Sequence, residues 1–162
     1  MLKIAGVELK SGNGHEEAYG LLHRLWQETT DEPFPQILRT ERGKPYFENA
    51  NIHFSITHTK SHAFCVLSDV PVGMDGEEID REVNPALAEK ILSPIEYAQY
   101  ANAKDKNKAL LTFWVLKEAA AKCTGEGLHG YPNQTNFSLE DPRVREMNGC
   151  LVAVIKENDH AF

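Results

Sequence analysis

The first feature that could carry chemistry is a pair of acidic residues in a short stretch of the chain. Residues 72–77 read VGMDGE, so Asp75 and Glu77 are separated by a single residue. Alternate side chains of a β-strand share a face, and a strand here would point both carboxylates in the same direction. Such a pair suits a hard divalent cation such as Mg²⁺, which keeps positions open for phosphate oxygens. The alternative is that both acids lie on a solvated strand end.

The second feature is a charged face on a predicted helix over residues 108–123. Trp114, Glu118 and Lys122 are each four residues apart, and side chains at that spacing stack along one helix face. A third carboxylate and an ammonium group could therefore face a metal ion and a phosphate. The alternative is a helix-stabilising Glu118–Lys122 pair beside a core tryptophan.

The third feature is a strand that ends in hydroxyl and imidazole groups. Residues 54–59 read FSITHT, and Gly43-Lys44-Pro45 lies upstream. Hydroxyls and an imidazole can donate several hydrogen bonds to phosphate oxygens, and Lys44 at a turn could add a positive charge. The alternative is an ordinary polar junction between a strand and a loop.

The pattern of apolar residues predicts the elements that must position these groups. Strands are predicted at 2–9, 52–57, 63–68, 72–77, 135–139 and 150–155, a hairpin over 36–48 that turns near 42–44, and helices at 15–28, 85–92 and 108–123, with another helix beginning at 93–94. Ser93 is the predicted N-cap of that helix, and Gly125 and Gly127 are predicted to end the helix over 108–123. The chain has no linker or readable repeat, which predicts a single α+β domain over residues 1–162.

Composition limits the classes of function. The chain of 162 residues is 41% hydrophobic and carries a net charge of −7, which disfavours nucleic-acid binding through a broad basic surface. No apolar run is long enough to span a bilayer, and the N-terminus does not read as a secretory signal. Cys65, Cys123 and Cys150 are odd in number and share no close spacing, which argues against a disulfide framework or a zinc ribbon and for the cytoplasm.

Taken in order, these motifs resemble those of the phosphopantetheinyl transferase superfamily. The series is GKP, FSITHT, VGMDGEEID, SPIEY and FWVLKEAAAKCTGEGL. It is most similar to the surfactin-synthetase-activating type, whose pattern is roughly G-K-P, N-[LI]-S-H-[ST], G-[IV]-D-[IVL]-E and W-[TS]-x-K-E-A-x-x-K-x-[TS]-G-x-G-L. The similarity extends from Gly43 to about Leu139. The compact holo-acyl-carrier-protein synthase type fits less well, because its acidic motif lies close to the N-terminus.

The resemblance implies a reaction and a fold. The reaction is the Mg²⁺-dependent transfer of the 4′-phosphopantetheine arm of coenzyme A to a serine of an apo acyl or peptidyl carrier protein, with release of 3′,5′-ADP. The fold has two pseudo-twofold-related α+β halves, here about 1–70 and 71–162, with coenzyme A in the cleft between them. The surfactin-activating type also implies a monomer, with no nucleic-acid or membrane partner.

The resemblance also implies roles for individual residues. The implied metal ligands are three carboxylates: Asp75, Glu77 and Glu118. The residues implied to bind coenzyme A are Lys44, Thr57, His58, Lys117 and Lys122. Glu118 is the candidate base for the carrier serine, and Lys122 would offset charge on the departing 3′,5′-ADP. Thr57 stands where serine is usual, and Gly76 replaces the usual apolar residue between the two acids, which should loosen the strand.

The register of the acidic strand predicts different environments for two neighbouring acids. If alternation continued past Glu77, Glu78 would point into the core, where an unpaired carboxylate costs several kcal/mol. We therefore expect the strand to end or bulge after Glu77, so that Glu78 turns to solvent and leaves the metal to its neighbour.

Two other functions remain open. One is a catalytically silent module that binds coenzyme A or a carrier protein, against which the intact acidic triad and both helix lysines argue. The other is an unrelated metal-dependent phosphohydrolase that uses His58, His62, Asp75 and Glu77. The net charge of −7 is compatible with a highly anionic ligand only if basic residues gather at one site.

Overall fold

The computed structural model describes residues 1–128 and 132–159, which form an α+β fold. Its strands are β1 (Leu2–Glu8), β2 (Ile37–Arg39), β3 (Pro45–Phe47), β4 (His53–His58), β5 (His62–Ser68), β6 (Val72–Glu78), β7 (Val144–Met147) and β8 (Cys150–Lys156). Its α-helices are α1 (Gly14–Thr29), α2 (Leu87–Ile91), α3 (Pro94–Asn102) and α4 (Lys106–Thr124), with a 3₁₀ turn at Pro132–Gln134. The predicted mixed α+β class is confirmed. No helix among these described residues is long and apolar enough to cross a membrane.

The two three-stranded sheets share one connectivity. In the first sheet the order is β1-β5-β4, and in the second it is β6-β8-β7, with every pair antiparallel. In each sheet the strand that comes last in the chain lies at the centre, between the other two. A long helix follows the first strand in both cases: α1 after β1, and α4 after β6. The second sheet begins just after residue 70. The twofold relation of the two halves stays a prediction, because a shared connectivity does not show which rotation relates one half to the other.

Three apolar clusters hold the helices and sheets together. Helix α1 packs on the first sheet through Leu22, Trp26 and their neighbours. Helix α4 is the centre of a larger cluster against the second sheet. A third cluster joins the two sheets, with buried residues from β5, β6 and β8: Phe64, Val66, Val72, Met74, Cys150 and Val152. Because this cluster excludes water between the sheets, β4 of the first half is held beside β6 of the second.

Short polar residues begin the helices that matter for the site. Ser93 caps α3 in a capping box with Glu96, which confirms the predicted N-cap. Asp105 caps α4 by accepting a hydrogen bond from the backbone N–H of Lys108 at 2.9 Å. Gly125 ends α4 with a φ of 77°, a left-handed conformation that favours glycine.

The structure corrects the predicted strands in three places. Residues 135–139 do not form a strand, because the backbone N–H of Phe137 donates to Glu96 on α3 at 2.7 Å instead of to a neighbouring strand. Strand β7 was not predicted, since its sequence VREM has too few apolar residues to show alternation. Strand β6 continues through Glu78, which pairs with Cys150, so the predicted break after Glu77 is wrong.

Candidate active site

A cleft of about 460 Å³ lies between the two halves. One wall is formed by the β2–β3 hairpin and β4, and the other by β6 and the last turns of α4. It is lined by seven of the predicted site residues: Lys44, Thr57, His58, Asp75, Glu77, Glu118 and Lys122. The fold therefore brings residues from four separate parts of the chain to one cavity.

Asp75 is the most buried acid of the cleft. Only 6% of the residue is exposed. Its Oδ1 is 2.7 Å from the Lys122 ammonium and accepts a hydrogen bond from Thr57 Oγ1 at 3.3 Å. Within residues 1–128 and 132–159, its Oδ2 is the one buried side-chain oxygen or nitrogen that lacks a hydrogen-bond partner. Burial raises the pKa of Asp75, and the Lys122 ammonium opposes that shift. A cation bound to Oδ2 would give both oxygens of the Asp75 carboxylate a partner.

Two further carboxylates share this electrostatic environment. Glu77 lies on the same face of β6 and pairs with Arg81. Burial raises the pKa of Glu118, the negative charge of Asp75 raises it further, and Lys122 opposes both. Negatively charged carboxylates repel one another in a partly buried site, and a hard divalent cation between them removes this repulsion. The residues present therefore fit such an ion.

Lys44 reaches across the cleft to the end of α4. Its Nζ donates to the carbonyl oxygen of Cys123 at 2.5 Å. Its side chain lies against Gly125, where an added Cβ would meet Lys44 Cδ at 3.1 Å. Burial lowers the pKa of Lys44. The lysine thus satisfies a free carbonyl at a helix C-terminus and leaves its charge at the edge of the cleft.

His58 ends β4 and packs against the first turn of α1. A Cβ on Gly14 would lie 2.6 Å from the His58 Nδ1, so the present position of the imidazole depends on a glycine there. Together with Glu77, His58 also borders a second cavity of about 800 Å³. These two residues therefore lie between the cleft and the second, larger cavity.

A family model matches the part of the chain that carries Asp75, Glu77, Glu118 and Lys122. Residues 71–156, more than half of the chain, match the 4′-phosphopantetheinyl transferase superfamily. The chain belongs to this superfamily.

Several individual phosphopantetheinyl transferases are similar to part of this chain, and the match covers only part of their own length. The 4′-phosphopantetheinyl transferase gsp of Aneurinibacillus migulanus is 34% identical over 94 residues, which cover 56% of this chain and 38% of that protein. The 4′-phosphopantetheinyl transferase psf-1 of Bacillus pumilus is 32% identical over 127 residues, covering 75% of this chain and 54% of that protein. A putative 4′-phosphopantetheinyl transferase of Haemophilus influenzae is 32% identical over 107 residues, covering 63% and 46%. The chain thus spans about half, or less, of the length of these relatives.

One of the lysines that the motifs imply for the site lies apart from the cleft. Lys117 does not line the cleft. Its side chain is 2% exposed and lies 2.9 Å from Glu96, which is 0% exposed. It also donates to the carbonyl oxygen of Thr135 at 3.0 Å. Because Lys117 precedes Glu118 by one residue, the helical turn directs it to a different face of α4, and its implied contact with coenzyme A stays a prediction.

Four residues that line the cleft were missed by the sequence analysis: His15, Tyr19, Arg39 and Arg42. Arg39 donates to Tyr19 Oη at 3.1 Å and to the carbonyl oxygen of Gly43 at 2.9 Å. Both arginines lie just before Gly43-Lys44-Pro45 in the sequence, which was the signal available. Together with Lys44 and Lys122 they gather positive charge in a chain whose net charge is −7. An anionic ligand is therefore compatible with the overall composition.

Glu78 differs from the solvent-exposed residue that we expected. Its Oε1 accepts hydrogen bonds from Thr59 Oγ1 at 2.7 Å and from the backbone N–H of Ser61 at 3.1 Å. Burial acts to raise the pKa of Glu78, but the hydrogen bonds from Ser61 and Thr59 hold it below its ordinary value. The carboxylate can remain on the inner face because the β4–β5 turn supplies its partners.

Proposed function

We propose that the chain transfers the 4′-phosphopantetheine arm of coenzyme A to a serine of an apo acyl or peptidyl carrier protein and releases 3′,5′-ADP. The observation that carries the proposal is the unpartnered Oδ2 of Asp75, which faces no protein donor inside a cleft that also holds Glu77, Glu118 and Lys122. Membership of the superfamily and the names of the similar proteins support the same reaction class.

Asp75, Glu77 and Glu118 would hold the metal, for which we propose Mg²⁺. When bound, Mg²⁺ supplies positive charge to the pyrophosphate oxygens of coenzyme A. The charged side chains of the cleft do the remaining work of binding and orientation. Lys44, Arg39 and Arg42 would hold the nucleotide phosphates on the hairpin side, with His58 and Thr57 donating from the end of β4.

The transfer itself is a displacement at phosphorus. The carrier serine oxygen forms a bond to the phosphorus that carries the pantetheine, and the bond from that phosphorus to the 3′,5′-ADP oxygen breaks. Lys122 would offset the charge that grows on the departing phosphate. Glu118 would take the serine proton, directly or through a water, and burial favours this role because it raises the pKa of the carboxyl group.

We further propose that the protein works as a monomer in the cytoplasm, with a carrier protein and coenzyme A as its partners. The cysteines Cys65, Cys123 and Cys150 are free and buried, which fits a reducing compartment. Both walls of the cleft come from one chain, which supports a site that needs no second subunit.

Mass spectrometry of an apo carrier protein tests the proposed reaction. The protein is incubated with coenzyme A, Mg²⁺ and the carrier, and the expected result is a carrier that gains one phosphopantetheine only when Mg²⁺ is present. Undiminished transfer in excess EDTA would contradict the metal assignment. A silent binding module would leave both substrates unchanged, and a phosphohydrolase would consume coenzyme A without a carrier.

A further inference from the structure

A second group of metal-binding side chains lies outside the cleft, where β5, β6 and β8 meet. His62 begins β5, Glu78 ends β6 and Cys150 begins β8. Glu78 and Cys150 are direct partners in the antiparallel ladder. One potential ligand atom from each of the three residues lies within 4.8 Å of the other two. Three adjacent strands thus deliver an imidazole, a carboxylate and a thiol to one point.

Hydroxyl groups of the β4–β5 turn orient two of these side chains. Thr59 Oγ1 donates to Glu78 Oε1 at 2.7 Å, and the Ser61 hydroxyl also donates to that oxygen. Ser61 Oγ is in addition 2.7 Å from His62 Nδ1. Since the single Ser61 proton goes to the carboxylate, His62 Nδ1–H must donate to Ser61, which leaves the lone pair of the neutral ring on Nε2. Hydrogen bonds of this kind orient histidine and carboxylate ligands in metal sites.

The remaining atoms of the group have only weak partners. Cys150 is fully buried, yet its sulfur makes only long contacts: 3.7 Å to Glu78 Oε2, 3.9 Å to Thr59 Oγ1 and 4.0 Å to the carbonyl oxygen of Asn148. Glu78 Oε2 faces this sulfur, whereas Oε1 takes the three strong donors. The sulfur and one carboxylate oxygen therefore face each other without a strong hydrogen bond.

We propose that His62, Glu78 and Cys150 bind Zn²⁺, with a water as the fourth ligand. Thiolate, imidazole and carboxylate together suit Zn²⁺, whereas Mg²⁺ requires oxygen ligands. Ligand atoms on a tetrahedral Zn²⁺ lie roughly 3.3–3.7 Å apart, because its bonds are about 2.0–2.3 Å long. The ligand atoms, which lie within 4.8 Å of one another without an ion, would have to come closer by about 1 Å when Zn²⁺ binds. Binding releases the Cys150 thiol proton to solvent.

Such an ion would join the two halves of the molecule. His62 belongs to the first sheet, and Glu78 and Cys150 belong to the second. His58 and Glu77, which line the cleft, are close neighbours of this site in sequence. The zinc site would stabilise the junction that positions them, and it does not depend on the proposed transfer reaction.

Cobalt spectroscopy tests the site without an activity assay. Co²⁺ replaces Zn²⁺ in such sites, and sulfur-ligated Co²⁺ shows a charge-transfer band in the near ultraviolet. The reduced protein is titrated with Co²⁺ in excess Mg²⁺, so that the oxygen-rich cleft is occupied and any Co²⁺ there adds no sulfur band. We expect the band to saturate at one Co²⁺ per chain and to disappear when Zn²⁺ is added. Absence of the band in the wild-type protein would overturn the proposal.

Variants of two buried cysteines assign the ligand. Cys150→Ser should lose the band, whereas Cys123→Ser, the matched control, should keep it. Ser61→Ala retains all three ligands but removes the hydroxyl that orients two of them, so Co²⁺ should bind about 10–100-fold more weakly. Far-ultraviolet circular dichroism checks that each variant is folded. If a variant is unfolded, the titration of the wild-type protein decides whether the site exists. A band that survives in folded Cys150→Ser would overturn the assignment.

Discussion

At the level of single residues, Asp75 combines burial with an unpaired carboxylate oxygen. In the free protein its other oxygen is paired with Lys122 at 2.7 Å. A cation bound to the carboxylates would replace part of that interaction, and the Lys122 ammonium could then turn to a phosphate. We therefore expect metal and coenzyme A to bind cooperatively, since each favours the same rearrangement of Lys122.

Glu77→Gln tests the metal site with a change of charge and almost none of shape. We expect phosphopantetheine transfer to fall by about 100-fold or more, because one of three ligands for the divalent cation is weakened. Rates of carrier modification at saturating coenzyme A measure the effect. Glu89→Gln, on the exposed face of α2, is the control and should retain full activity. Glu78→Ala does not serve as a neutral control, because Glu78 accepts hydrogen bonds from Thr59 and Ser61. Equal losses in both Gln variants would exclude a specific role for Glu77.

Lys122→Ala and Lys44→Ala should differ in which kinetic constant they change. In the proposed reaction Lys122 acts on charge that grows in the transition state, so its loss should lower kcat more than that of Lys44. In the same proposal Lys44 would hold the nucleotide in both the ground state and the transition state, so its loss should mainly raise the KM for coenzyme A. Steady-state kinetics of the two variants distinguish these effects. A larger fall in kcat for Lys44→Ala would reverse the two roles.

At the level of elements, the close approach of β6 to α4 sets the geometry of the site. A Cβ on Gly73 would lie 1.9 Å from the carbonyl oxygen of Ala119 and 2.3 Å from the backbone nitrogen of Cys123. Only glycine therefore lets the strand with Asp75 and Glu77 lie this close to the helix with Glu118. At Gly76 an added Cβ would meet Thr57 Cγ2 at 3.3 Å, a much milder contact.

Gly73→Ala should accordingly separate α4 from β6. We expect a loss of about 1–3 kcal/mol in the free energy of unfolding, as for an overpacked core, together with a fall in activity. Gly76→Ala is the matched control and should lose less of both. Urea denaturation and the transfer assay measure the two effects. If Gly76→Ala proved the more damaging change, the contact between β6 and α4 would not be the limiting one.

The buried pair of Lys117 and Glu96 fixes α3 to α4. Lys117→Ala leaves a carboxylate without its cation in the interior, and we expect it to cost about 3–5 kcal/mol in the free energy of unfolding. A double variant, Lys117→Met with Glu96→Gln, removes both charges and should be more stable than the single one. Denaturant unfolding compares the three proteins. A folded Lys117→Ala protein of unchanged stability that no longer bound coenzyme A would instead support the ligand contact that the motifs imply for this lysine.

At the level of the whole molecule, both walls of the cleft belong to one chain. The two sheets have the same connectivity, and the cluster of Phe64, Met74 and Val152 joins them. Basic groups from the hairpin and acidic groups from β6 and α4 meet across the cleft without a second subunit.

We therefore predict a monomer in solution. Light scattering at micromolar concentration should report the chain mass of 18.2 kDa. A trimer would indicate the compact synthase type, in which sites form between subunits. The same measurement with coenzyme A and Mg²⁺ controls for assembly induced by ligand.

Much of the active site followed from sequence alone because its determinants are local. Strand alternation placed Asp75 and Glu77 on one face, and helical spacing did the same for Glu118 and Lys122. The polar residue before Pro94 and the glycine at 125 marked helix ends, which the structure confirms. These properties depend on backbone geometry over a few residues, so the pattern of the chain determines them.

The surroundings of the same residues were decided only by the tertiary structure. The sequence pattern suggested a ligand contact for Lys117, but its side chain pairs with Glu96, which is distant in sequence. It suggested solvent exposure for Glu78, but that carboxylate is held by the β4–β5 turn. Residues 135–139 looked like a strand, but side chains of α3 take backbone N–H groups there. A buried polar group is stable only when a partner meets it, and which partner meets it depends on how distant segments pack. The sequence by itself therefore determined which residues could do chemistry, while the packing of the two halves decided which of them share the cleft.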